Sequence, residues 1–201
     1  MPCPVDFYFW TGSTYTYLTV NRIEAAAERE GVEVRWKPFN LRALLRENNH
    51  VPFPAGTAKT DYMWRDLKRR SEMHGLPFPH DRVAYPSDPE TLNFKAALIA
   101  YEEGWAKDYV VTAFEWWFLK GKPPGMDGNL ESMLSEMGRD SEKTLSQIQV
   151  PEMDAKMAAS ADDARALGLF GSPHFVVGKE VFWGDDRLED ALSWAKAVHA
   201  I

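Results

Sequence analysis

The chain opens on Val5–Trp10, a run of aromatic and β-branched residues that reads as a buried strand. Thr14–Glu30 then reads as a helix, closed by Gly31, the residue that most easily takes a left-handed cap. Val32–Lys37 alternates cleanly. Val32, Val34 and Trp36 fall on one face, and Glu33, Arg35 and Lys37 on the other. That is a half-buried strand, ended by Pro38. Strand, helix and strand in the first 38 residues spell a βαβ unit with parallel strands and a right-handed crossover.

The middle of the chain changes character. From about Leu41 to Leu167 the strong patterns are helical. Asp61–His74 carries Tyr62, Trp64, Leu67 and Met73 among many charges. Prolines break the chain at Pro77, Pro79, Pro86 and Pro89. Leu92–Glu103 stops at Gly104, and Ala106–Leu119 carries Trp116-Trp117 before a Gly- and Pro-rich turn at Gly121–Gly125. Further helices fit Leu130–Met137, Ser141–Gln149 and Glu152–Leu167. The end returns to β structure. His174–Val177 and Glu180–Trp183 flank Gly178-Lys179, a tight hairpin. Asp185 then stands where it can cap a helix with Leu188, Ala191, Leu192, Ala195 and Val198 at helical spacing. Neither β-bearing flank can bury a sheet alone, so one α/β domain is expected from residues 1–40 and 168–201, interrupted by a helical insertion over 41–167.

Charge and composition narrow the function classes. The formal net charge of −7 and the absence of a basic stripe argue against nucleic acid as a partner. The densest basic cluster, Lys68-Arg69-Arg70, is flanked by Asp66 and Glu72 and reads as a solvated helix face. No run approaches the ~20 apolar residues of a membrane span, so no membrane association is expected. The start has no basic segment leading into an apolar core, so no secretory leader is expected. Cys3 is the single cysteine and cannot form an internal disulfide, which fits a reducing, cytoplasmic compartment. It precedes the first strand and is no candidate nucleophile.

Candidate chemistry sits where the first strand hands over to the first helix, in Phe7–Leu18, "FYFWTGSTYTYL". A helix N-terminus leaves N–H groups unpaired and favours anions. Ser13 or Thr14 can serve as an ordinary cap, although capping needs one hydroxyl and says nothing about Gly12. The stretch lacks the Gly-x-x-x-x-Gly-Lys of a phosphate loop and the Gly-x-Ser-x-Gly of a nucleophile elbow. His50, His74, His80, His174 and His199 show no zinc-ligand spacing with cysteine. A serine nucleophile would need a base, for which His174 is the candidate in a β segment. The second cluster is Leu169–Leu192, where Ser172-Pro173 precedes a strand. Proline belongs at a strand start. It is either an ordinary loop proline or a cis one; a cis bond would turn the Ser172 backbone outward as a docking edge for a peptide ligand.

These residues carry a resemblance. The strand-then-helix start with its hydroxyl-rich "STYTYL", the late "FGSPHF" and the following "WGDDRL" resemble the 2-hydroxychromene-2-carboxylate isomerases. Those are relatives of the kappa-class glutathione transferases, in the DsbA-like branch of the thioredoxin fold. The likeness spans the chain, with the C-terminal motifs its specific part. The family usually has proline after its serine, where this chain has Thr14, and often has aspartate at Trp10. The first departure touches the geometry of the helix start, and the second reshapes the acceptor pocket.

The resemblance implies a thioredoxin-like (DsbA-like) α/β fold with a large helical insertion, glutathione as cofactor, and a small aromatic electrophile as substrate. It implies a homodimer as well. The family's active serine falls on Ser13, where disulfide oxidoreductases of this fold place the first cysteine of Cys-x-x-Cys. Ser13-Thr14-Tyr15-Thr16 has no thiol, so disulfide exchange by the chain's own sulfur is excluded. In the relatives the hydroxyl favours the thiolate of glutathione, which is the nucleophile. Isomerase chemistry then returns glutathione unchanged; transferase chemistry releases an adduct. A non-catalytic glutathione or peptide binder is the remaining alternative. By the same likeness, Ser172 before Pro173 pairs with the cysteinyl backbone, Asp185 and Asp186 hold the γ-glutamyl ammonium, and Lys59 meets a carboxylate. Asn49, or its neighbour Asn48, lies near that carboxylate. Asn93 and Arg187 also recur in the family; by themselves they read as a cap and an ion pair. Trp10, Tyr15, Trp64, Trp116 and Trp117 are candidates for an apolar acceptor pocket, although aromatics at helical spacing usually belong to a core.

Overall fold

Residues 2–198 are described by a computed structural model. β1 (Val5–Phe9) buries Val5, Phe7 and Phe9. It pairs in parallel with β2 (Val34–Pro38), Val5 opposite Val34 and Phe7 opposite Trp36. Its other edge takes β3 (His174–Val177) in antiparallel fashion, Phe7 opposite Phe175. β4 (Glu180–Trp183) follows through the hairpin, so the sheet order is β2-β1-β3-β4. Every residue of β3 is buried, as expected of a strand between neighbours with cover on both faces. Phe7 stacks on Phe175 at 5.7 Å and meets Trp36 edge-on at 5.0 Å, which ties three strands together.

Two expectations for the βαβ unit are corrected. The helix read over Thr14–Glu30 is broken into α1 (Thr14–Val20) and α2 (Ile23–Glu30). At the break the Asn21 side chain donates to the Tyr17 carbonyl at 2.7 Å, a local bond that competes with the helix ladder. The Arg22 N–H turns to Thr19 O in a tighter turn. Val32 belongs to the helix terminator rather than to β2. Gly31 is left-handed and the Val32 N–H donates back to Ala27 O at 3.0 Å. Pro38 is the last residue of β2, an edge strand where a missing N–H costs nothing in the ladder.

Between β2 and β3 run α3 (Leu41–Glu47), α4 (Ala58–His74), α5 (Leu92–Glu102), α6 (Ala106–Phe118), α7 (Asn129–Glu136), α8 (Ser141–Ile148) and α9 (Glu152–Ala166). α4 starts before the expected Asp61 because Thr57 caps it, its Oγ1 accepting from Thr60 N. Tyr17 of α1 stacks on Phe118 of α6 at 4.0 Å, nearly parallel. Trp64, Trp116 and Trp117 are core residues; the Trp117 indole donates to Ala84 O at 2.8 Å. Asn93 is buried and its Oδ1 accepts from Tyr109. One continuous apolar core therefore joins the sheet to these helices. After β4 a short 3-10 turn, Asp185–Arg187, leads into α10 (Leu188–Ala197), which buries Leu188, Ala191, Leu192 and Ala195. Among the described residues no helix is long and apolar enough to cross a membrane. His199 lies outside the described residues.

Candidate active site

The turn from β1 into α1 holds Ser13 in extended backbone, φ −92° and ψ 121°. Its hydroxyl caps nothing. It donates instead to the Ser172 carbonyl at 2.8 Å. Thr14 Oγ1 lies 3.1 Å from Met63 Sδ, so Thr14 is no cap either. The capping role open to both hydroxyls is therefore not used.

Ser172-Pro173 is a cis peptide, directly before β3. The Ser172 side chain is as firmly held as its carbonyl. Its Oγ accepts from Trp10 N at 2.9 Å and shares a 2.8 Å hydrogen bond with Thr16 Oγ1. Thr16 is fully buried. The Ser172 N–H, by contrast, has no acceptor among the described residues. The site thus presents one committed carbonyl and one open backbone donor side by side. The sequence alone carries no sign of this supporting role for Thr16, because its partner is 156 positions away.

A cavity of about 640 Å³ opens on this wall. Ser13, Lys59, Ser172, Pro173, Asp185 and Asp186 all line it, together with Trp10, Tyr15, Phe53, Arg70, Phe170 and Trp183. Asn49 does not. It takes a left-handed turn after α3, φ 47°, while the Asn48 side chain folds back on Leu44 O; His50 lines the cavity instead. Trp64, Trp116 and Trp117 are absent from the cavity wall, and of the candidate acceptor aromatics Trp10 and Tyr15 remain.

The charges divide unevenly. Asp185 is buried and every lone-pair direction is engaged by protein. Oδ1 accepts from Thr19 at 3.1 Å and Arg22 at 2.9 Å, and Oδ2 from Arg70 Nε at 3.0 Å and Nη2 at 2.5 Å. Its cap reading is corrected: its oxygens are taken by two guanidinium groups and a hydroxyl, whose hydrogen bonds offset the cost of burying the charge, and none accepts from the helix start. Asp186 remains half in solvent, paired with Arg187 at 2.8 Å. Arg187 also pairs with Asp190, a surface role. Lys59 is exposed, has no ion pair among the described residues, and stands 5.4 Å over the Phe53 ring. Tyr15 donates to Asp66 at 3.1 Å; burial, then that carboxylate, push its phenol well above the ordinary range.

His174 is not a base for Ser13. It is wholly buried, its Nδ1 lies 2.7 Å from Gly171 O, and it does not line the cavity. Burial pushes its pKa down to about 4, which keeps the ring neutral. With the carbonyl as Nδ1 partner the proton sits on Nδ1, and Nε2 is left without a partner among the described residues.

The chain is similar to curated proteins across most of its length. It is 24% identical to a 2-hydroxychromene-2-carboxylate isomerase of Sphingobium xenophagum over 188 residues, 92% of this chain and 94% of the relative. It is 29% identical to the enzyme of that name from Pseudomonas putida over 191 residues, 92% and 90% of the two chains. A solved 2-hydroxychromene-2-carboxylate isomerase superposes with a TM-score of 0.82 over 94% of this chain and 93% of the other, at 23% identity, and so shares the fold. The thioredoxin-like sheet with inserted helices is the architecture expected from the motifs. A family model, the DSBA-like thioredoxin domain, matches residues 4–193, and the chain belongs to that family.

Proposed function

We propose that the chain is a glutathione-dependent isomerase of the 2-hydroxychromene-2-carboxylate type, acting on a small aromatic electrophile. The observation that carries this reading is the pairing of Ser13 with the cis Ser172-Pro173 backbone, 2.8 Å apart, on the wall of one cavity and with no cysteine in either segment. Relatives of that name over nine-tenths of the chain support it.

The residues present fit glutathione. The cavity lies in the size range of small-ligand sites. The open Ser172 N–H and its carbonyl suit a peptide backbone, and Lys59 suits a carboxylate. With Asp185 saturated by Arg22 and Arg70, Asp186 is the one of these two acids left to take an ammonium. Glutathione, when bound, supplies the thiolate nucleophile that the chain lacks.

Ser13 then has two tasks. Its single hydroxyl proton is engaged by the Ser172 carbonyl. A ligand N–H at that carbonyl would take its place and free the proton for donation to sulfur. A hydroxyl donor lowers the pKa of a thiol by stabilising its charged form. Thr16 and the Trp10 N–H keep Ser172 in place while this happens.

Calorimetry with glutathione is the first test, and millimolar binding is the expected result. Thiolate absorbance in the ultraviolet near neutral pH should appear with wild type and vanish in Ser13→Ala. Absence of binding, or an unchanged absorbance in the variant, refutes the reading. Turnover of 2-hydroxychromene-2-carboxylate, compared with adduct formation on general transferase acceptors, decides between isomerase and kappa-like transferase at the same site.

A further inference from the structure

The eight tryptophans differ in what their indole N–H groups do. Trp36, Trp105, Trp116 and Trp117 donate to Glu24, Glu103, Glu136 and the Ala84 carbonyl. Trp10, Trp64, Trp183 and Trp194 have no acceptor among the described residues, and of these four Trp10 and Trp183 line the cavity. Each of these two is laid over a glycine that directly precedes a site serine. A Cβ on Gly12 would come within 2.6 Å of Trp10 Nε1, and one on Gly171 would overlap Trp183 Nε1. The N–H edge of each ring, not its benzo edge, therefore faces the Gly-Ser turn. Those two turns meet at the 2.8 Å bond from Ser13 to Ser172, so two vacant donors flank one hydrogen-bonded pair.

Trp10 is only 5% exposed, yet its Nε1 is not among the sealed polar atoms. A donor in that state has little water and no protein partner, and an acceptor delivered by a ligand would restore the missing bond. The Arg42 guanidinium, 5.6 Å from the Trp10 ring, adds positive potential. Trp183 is half exposed and held edge-on by Phe170 at 4.9 Å, with apolar ring surface bare at the cavity mouth. Neutral donors beside apolar ring faces suit an aromatic acid.

We propose that Trp10 and Trp183 form the subsite for the electrophile, their indole N–H groups binding the carboxylate of an aromatic acid beside Ser13. This rests on reading the cavity as a joint site for thiol and electrophile, but it is tested without the thiol. Cinnamate and its uncharged methyl ester are titrated calorimetrically into wild type, Trp10→Phe and Trp183→Phe, with glutathione titrated separately. Phenylalanine keeps a ring and removes the donor. Each variant should weaken cinnamate about tenfold, the scale of a hydrogen bond to a charged acceptor, and leave the ester within about twofold. Glutathione affinity should not change. Equal losses for acid and ester, no loss for either, no cinnamate binding to wild type, or a parallel loss of glutathione affinity would each overturn the proposal. Trp183→Phe, at a half-exposed position, decides the matter if Trp10→Phe does not fold. Failure of wild type to bind glutathione, with cinnamate still discriminated, would refute the proposed function and leave this subsite standing.

Discussion

The two walls of the cavity are built on opposite plans. The wall from the sheet, Gly12–Thr16 against Gly171–Pro173, is held by short bonds between protein atoms: Ser13 to Ser172 O, Trp10 N to Ser172 Oγ, Thr16 to Ser172 Oγ. The wall from the helical segment carries Phe53, Lys59, Tyr62 and Arg70, with Lys59 and Tyr62 largely in solvent. Pre-organised donors act on charge without reorganisation, and exposed cations on flexible stems attract anions without fixing them. Under the proposed function, chemistry belongs to the first wall and ligand capture to the second. One carboxylate, Asp185, joins them, because Arg22 comes from the helix break after α1 and Arg70 from α4.

Removing that joint should be the largest effect. Asp185→Asn leaves two guanidinium groups facing each other in a largely buried place, and breaking such an arrangement costs about 3–5 kcal/mol. Urea denaturation should show the loss, and replacement of Arg70 as well should recover part of it. A loss below about 1 kcal/mol would mean that the two walls are held together by packing alone.

Ser13→Ala comes next. Loss of one donor to developing charge should lower kcat about 10²–10³-fold. Stability should fall by only about 1 kcal/mol, the worth of the bond to Ser172. Equal kcat in variant and wild type would move the chemistry off the sheet wall.

The third effect is on pH. His174 is neutral when folded, its pKa depressed to about 4, whereas an unfolded histidine titrates near the ordinary 6.5. The unfolded chain therefore binds the extra proton between those values, and stability falls as pH drops from 6.5 toward 4. The loss is roughly 3 kcal/mol, and denaturation midpoints across that window should show it. In His174→Asn the slope over this range should be shallower. An equal slope would mean that His174 does not carry the proton linkage in this window.

Lys59→Met should be the smallest. It should weaken glutathione about fivefold and reduce the salt dependence of binding, because the lost interaction is an exposed one. Stability should stay within about 0.5 kcal/mol.

The sheet was readable because its signals are local. β3 and β4 begin and end where the hairpin at Gly178-Lys179 places them, and most helices match within two or three residues. The break at Asn21-Arg22 was hidden because apolar periodicity runs on through Val20, Ile23 and Ala27. The site was readable in part. Motif likeness pointed to Ser13 and Ser172, and the cavity holds both. Asp185 at the start of a helix looks like a cap in any window of sequence. Its partners Arg22 and Arg70 are 163 and 115 positions away, and only the folded chain brings them to it. Asn49 was a question of register through a loop, which no periodicity governs.

The order of the strands sets a condition on synthesis. β1 is central, but its β3 edge is completed by residues 174–177, which are made long after β1 itself. Until they leave the ribosome, a bare edge of Val5–Phe9, rich in aromatics, is open to pairing with other chains. Ser13 has no Ser172 to hold it over the same interval. A chain cut short before residue 172 would therefore be sticky, with an unpaired central strand, and the cell would meet it as a folding client.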